Sequence, residues 1–114
     1  MNKTIIALSA ALLALTALPA LADGDKKKGK QLYQVCAACH GEDGRGNPDT
    51  MAPQLAGQHG FYLTTQLSNF RDGIRGSDER DTMGQVMKPM AASLSDQDIA
   101  DLVAYIGTMK PKKH

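Results

Sequence analysis

The sequence predicts a small all-α domain, and three observations carry that prediction. Three stretches place apolar residues at the 3.6-residue interval of a helix, and no stretch alternates convincingly as a strand would. The first helical stretch also runs into Cys36-Ala37-Ala38-Cys39-His40, a thiol pair followed at once by an imidazole. A chain of 114 residues allows one folded domain.

The chain opens with Lys3, an apolar run from Ile5 to Leu18 broken by Ser9 and Thr16, then Pro19 and Ala20-Leu21-Ala22. A basic start, a short apolar core and a small-x-small site make a secretory signal peptide. Residues 1–22 are therefore expected to be a leader cut after Ala22, and residues 23–114 a single domain exported to the periplasm. A retained membrane anchor is the rival, weakened by a core short of the roughly 20 residues a span needs. Without Lys3, basic and acidic side chains balance at 12 each. Bulk charge therefore speaks against a nucleic-acid partner. The lysines gather at the two ends of the domain: Lys26, Lys27, Lys28 and Lys30, then Lys110, Lys112 and Lys113.

The first helix is expected from about Lys26 to Cys36, with Gly29, Leu32, Tyr33 and Cys36 on one side. Glycine inside a helix costs about 1 kcal/mol relative to alanine. At Gly29 the compensation is close approach of another helix. From Gly41 to Gly57 the Gly-, Pro-, Asn- and Asp-rich sequence reads as a loop. A second helix is expected over about His59 to Arg71, with Leu63, Leu67 and Phe70 as its buried stripe and Gly73 beyond its end; Arg71 to Asp81 then reads as polar loop. Three methionines, Met83, Met87 and Met90, follow with no helix assigned to them. The last helix has the clearest signals: Ser95 as N-cap, Asp98 at N3, and Leu94 and Ile99 in staple positions. Asp96 and Asp98 favour its positive end. Its apolar face runs through Ile99, Leu102, Val103 and Ile106.

Two thiols three positions apart can each form a thioether to a porphyrin vinyl group, and the adjacent histidine can reach the iron. Cys36 and Cys39 are thus the expected attachment points of one haem c, and His40 its axial ligand. A disulfide, as in a thioredoxin-like motif, would need a βαβ setting that the sequence does not offer. A zinc site would need a second cluster of ligands. The second nitrogen of a ligating histidine needs an acceptor, for which the carbonyl of Pro53 is a candidate; an ordinary stiffening role in the loop is the alternative. For the opposite side of the iron the candidates are Met51, Met83, Met87, Met90, Met109, His59 and His114. Met109 reads better as packing, His59 as a cap-region residue and His114 as a chain end. Spacing does not choose among Met83, Met87 and Met90. Few aromatic residues are present, so covalently held haem would supply much of the core, and the haem-free chain is expected to be loose.

The chain resembles the small bacterial class I cytochromes c, and in particular a single domain of the two-haem periplasmic type. The likeness rests on Gly29-Lys30-Gln31-Leu32-Tyr33, Cys36 to Gly41, Gly44-Arg45-Gly46, Ala52 to Gln58, Gln66 to Arg71, Met87 to Ile99, and Tyr105-Ile106. The resemblance implies a compact class I cytochrome c fold in which the first and last helices cross, at Gly29 and Tyr33 on one and Leu102 and Tyr105 on the other. It also implies Met87, seven residues before Leu94, as the second axial ligand, with Met90 as runner-up, and Pro53 as the carbonyl that orients His40. It departs in carrying one such domain where those relatives carry two.

The implied function is a periplasmic single-haem electron carrier, with periplasmic or membrane-bound redox proteins as donor and acceptor. It would have no substrate chemistry of its own and no stable membrane insertion. Two other readings are a haem-bearing subunit of a larger oxidoreductase and a sensor or peroxidase-like protein with a labile sixth ligand.

Overall fold

A computed structural model describes residues 23–113, together with the isolated residues 7, 9 and 11. Apart from those three positions, the expected leader lies outside the described residues. The described residues form four α-helices: α1 (Lys26–His40), α2 (Gly60–Arg71), α3 (Thr82–Ala91) and α4 (Asp96–Ile106). None is long and apolar enough to cross a membrane. Apart from one isolated bridge between Asn47 and Ala52, β-pairing is absent among them.

α1 and α4 make the principal helix pair. Gly29 sits where the backbones meet, and a Cβ there would overlap the carbonyl oxygen of Asp101 and the Cβ of Tyr105. One turn on, the rings of Tyr33 and Tyr105 meet edge to face with centroids 5.5 Å apart, a favoured aromatic geometry. Tyr33, Leu63, Leu102 and Ile106 form the buried cluster between α1, α2 and α4. α4 starts as its sequence indicates: Ser95 Oγ accepts from the amide of Asp98 at 3.0 Å, and Asp98 Oδ2 from the amide of Ser95 at 2.9 Å. Arg71 joins the end of α2 to this start, donating to Asp96 Oδ1 at 2.7 Å and to the carbonyl of Leu94 at 3.3 Å.

Two expectations need correction. α1 does not stop near Cys36 but continues to His40, ending at Gly41 with φ of 85°. The segment holding the methionines is itself a helix, α3. Asp81 starts it by accepting from the amide of Gly84 at 2.9 Å. Pro89 inside α3 hid it, since proline in a helix removes an amide donor and normally breaks the turn. Here it falls in the last turn, where little helix remains to be broken.

Candidate haem site

The extension of α1 changes what the thiol motif presents. Cys36, Cys39 and His40 stand at i, i+3 and i+4 on one helix, so they share a face. The loop that follows is tightly folded rather than open. Asn47 and Ala52 exchange backbone hydrogen bonds at 3.0 and 3.1 Å, and the amides of Leu55 and Ala56 both donate to the carbonyl of Gly44. Thr50 Oγ1 donates to the carbonyl of Cys39 at 2.9 Å, satisfying a group at the helix end. This loop brings the Pro53 carbonyl to 2.8 Å from His40 Nδ1. Nδ1–H donates to that oxygen, which leaves the Nε2 lone pair of a nearly buried imidazole as the available ligand.

All four helices contribute walls to an apolar cleft of about 340 Å³. Cys36, Cys39 and His40 line it from α1; Leu67 and Phe70 from α2; Met83, Met87 and Met90 from α3; Leu102 and Ile106 from α4; Met51 from the loop. Met87 is half-buried, whereas Met51, Met83 and Met90 are exposed. Met109 does not line the cleft but packs against the α1–α4 core. His59 is the N-cap of α2, its ring stacked on Phe61 at 5.3 Å, and it too is absent from the cleft wall. Of the positions assigned to the helix crossing, Gly29, Tyr33 and Leu102 are buried and Tyr105 is half-buried.

Sequence reasoning passed over Arg75, the one Lys or Arg among the described lining residues. Its guanidinium lies 4.5 Å from the centre of the Phe70 ring and donates to Gln66 Oε1 at 2.9 Å. Only the spatial neighbours distinguish it from the other charges of its loop.

The thiol chemistry separates the readings of the Cys pair. Both cysteines are free thiols. Burial pushes the Cys36 thiol up, and the nearby Cys39 adds to the effect. Reactive dithiols need lowered values, typically at helix N-termini; this pair sits in the last turns of α1, where the dipole has the opposite sign. Nor does any cluster of three or more His, Cys, Asp or Glu that could hold a metal ion occur among the described residues. The residues do fit a haem: an apolar cleft, two adjacent free thiols, an imidazole with its tautomer fixed, a half-buried thioether on another wall, and a cation on the rim.

A helical domain whose first helix ends in paired thiols and a clamped imidazole on the wall of such a cleft is a c-type haem domain. The chain belongs to the cytochrome c family, whose model matches residues 26–110. As a member it is an electron carrier with one covalently attached haem c, for which Cys36, Cys39 and His40 supply the binding motif. It is 39% identical over 87 residues to cytochrome c-554(548) of Halomonas halodenitrificans, covering 76% of this chain and 99% of that one. Among solved structures, the reduced cytochrome c4 from Pseudomonas stutzeri aligns with a TM-score of 0.65 and 35% identity, over 77% of this chain and 52% of that one. Thiosulfate dehydrogenase from Marichromatium purpuratum aligns with a TM-score of 0.63 and 36% identity, over 75% of this chain and 19% of that one. The chain therefore spans nearly all of the first relative, about half of the second and a fifth of the third.

Proposed function

We propose that the protein is a periplasmic carrier passing single electrons between redox proteins, its haem joined to Cys36 and Cys39 and its iron held by His40 and Met87. The bound haem supplies a reversible Fe(II)/Fe(III) couple. The chain's own residues do the rest. Pro53 fixes the His40 tautomer through the 2.8 Å bond and raises the basicity of Nε2. The apolar wall excludes water, and Arg75 offers a positive group to a carboxylate at the rim. The likeness to electron-transfer cytochromes supports a carrier without chemistry of its own.

The observation that carries the ligand assignment is the difference among the cleft methionines: Met87 is the half-buried one, on the wall formed by α3. A thioether held out of water is a better candidate for a permanent ligand than one on the surface. Ferric protein with a methionine ligand shows a weak sulfur-to-iron charge-transfer band at long wavelength. Met87→Ala should abolish that band and lower the reduction potential, while Met90→Ala should leave both in place. The reverse pattern would move the assignment to Met90.

A second reading, a haem-bearing part of a larger oxidoreductase, is favoured by the likeness to a domain of thiosulfate dehydrogenase. Size-exclusion chromatography of the protein from its native periplasm distinguishes them. A free carrier elutes at the size of a single small domain or a small oligomer. A tight complex elutes far earlier and retains its haem signal alongside another subunit.

A further inference from the structure

α4 carries a carboxylate that the haem site does not use. Asp101 is only 1% exposed, among the most deeply buried large side chains. Its Oδ1 accepts the backbone N–H of Asp25 at 2.7 Å and the side-chain amide of Gln97 at 3.0 Å. Its Oδ2 is buried and has no hydrogen-bond partner among the described residues. The Asp25 N–H first, and then the Gln97 amide, hold this carboxyl below the usual range despite burial. The group is therefore an anion with one oxygen unsatisfied, and such an oxygen favours a cationic donor.

The segment beside it narrows the choice of donor. Gly24 is pressed against α4 so closely that a Cβ would overlap the Ala100 carbonyl oxygen and crowd Ala104. Residues 23–25 therefore run across α4 next to Asp101. Lys28 on α1 favours the Asp101 anion through space, but no ion pair joins them among the described residues. The nitrogen of Asp23 lies two residues before the amide that already holds Oδ1. Two residues of chain span at most about 7 Å, and the glycine between allows the chain to fold back.

We infer that Asp101 Oδ2 is a binding site for a primary ammonium group, and that its ligand is the chain's own N-terminus at Asp23 after leader removal. The inference rests on the proposed processing after Ala22. Hydrolysis of the Ala22–Asp23 peptide by the leader peptidase adds water across that bond, leaving Ala22 with a carboxylate and Asp23 with an ammonium. A neutral amide with one N–H becomes a cation with three donors, two residues from an anion already in place. The exported domain thereby gains a tie between its N-terminal segment and α4 that the precursor lacks.

An α-amine ordinarily titrates near 7.7–8.0. Pairing with a buried carboxylate raises that value, so the added stability is complete below about pH 8 and is lost as pH rises through the raised value. The charged groups of this corner are the carboxylates of Asp23 and Asp25 on the amine's own segment, the latter accepting from the amides of Lys27 and Lys28 at the start of α1, with Lys28 itself on α1 and Asp101 on α4; Asp98 is engaged in the cap of α4. Asp23 and Asp25 act in the same direction as Asp101, and Lys28 opposes them. Replacing Asp101 alone isolates its share.

The test begins with the intact mass of exported holoprotein, followed by NMR titration of its α-amine. The same titration is made on Asp101→Asn, and thermal midpoints are compared with those of N-acetylated protein. The expected result is a start at Asp23 and an amine that binds its proton about tenfold or more tightly than a free one. That excess should largely disappear in Asp101→Asn, and acetylation should lower the thermal midpoint at pH 7 but not at pH 11. A different first residue would overturn both the processing and the pairing. A start at Asp23 with an ordinary amine, unchanged by Asp101→Asn, would overturn the pairing alone.

Discussion

The two sides of this domain are closed by different means. Where α1 crosses α4, the polypeptide completes its own packing: backbone meets backbone at Gly29, Tyr33 meets Tyr105, and Leu102 and Ile106 fill the space beneath. On the side bounded by α2 and α3, apolar groups such as Val86 and Met90 remain exposed around a cleft. One side is a finished protein core; the other is a wall that a haem held by Cys36, Cys39 and His40 would complete. A porphyrin seated in that cleft would make good the small aromatic content of the sequence, supplying apolar area that side chains do not.

The largest effect expected from this contrast is on haem removal. A group that binds only the folded chain adds its binding free energy to stability. Replacing both Cys36 and Cys39 by alanine, or exporting the chain without haem attachment, should leave a form with much reduced helical circular dichroism. Amide hydrogen exchange should be fastest in α3, which faces the cleft, and any residual protection should lie where α1 meets α4. A haem-free chain that unfolds cooperatively with full helicity would mean that both sides are closed by polypeptide.

The second test compares apolar residues within the holoprotein. Leu102 is 1% exposed and Phe61 is 74% exposed. Leu102→Ala removes buried volume under the helix crossing and should cost about 2–5 kcal/mol in chemical denaturation. Phe61→Ala, despite deleting a larger side chain, should stay within about 0.5 kcal/mol. Comparable losses would show that Phe61 is covered in solution, by a second copy or another partner.

The same contrast explains what could be read from the sequence. The crossing side was legible because its signals are local: the Ser95–Asp98 cap, the stripe of Ile99, Leu102 and Ile106, and a glycine where helices must touch. The thiol–imidazole motif was equally plain, since three chemically distinctive residues are adjacent. α3 was not legible, because Pro89 and the mixed apolar pattern around three methionines argue against a helix when read alone. It forms by capping at Asp81 and by packing beside α2. The continuation of α1 to His40 was missed because the residues that close its end, Thr50 and Gly41, belong to the loop. Asp101 and Arg75 were missed for a common reason. Each is given its place by partners that the chain brings close only when folded, Asp25 for one and the Phe70 ring for the other.

The smallest effect concerns the hydroxyl that joins the two sides. Tyr33 is part of the crossing core, yet its OH donates to the carbonyl of Gly41 at 2.7 Å, just after the histidine that ends α1. With Cys36 as a free thiol, burial first, then the negative groups that Cys36, Tyr105 and Asp43 would present, push its ionisation up to about 12; a Cys36 joined to haem drops out of that list, while burial, the first cause, remains. Unfolded tyrosine ionises near 10. Between those values the unfolded chain has released its proton while the folded chain keeps it, so stability is undiminished below about pH 10 and falls as pH rises from there. Tyr33→Phe should cost about 0.5–1.5 kcal/mol at neutral pH by leaving the Gly41 carbonyl without this donor. It should also flatten the alkaline decline measured by urea unfolding between pH 9 and 11. A neutral-pH loss with an unchanged alkaline slope would mean that the phenol contributes as a hydrogen-bond donor while other groups govern the titration.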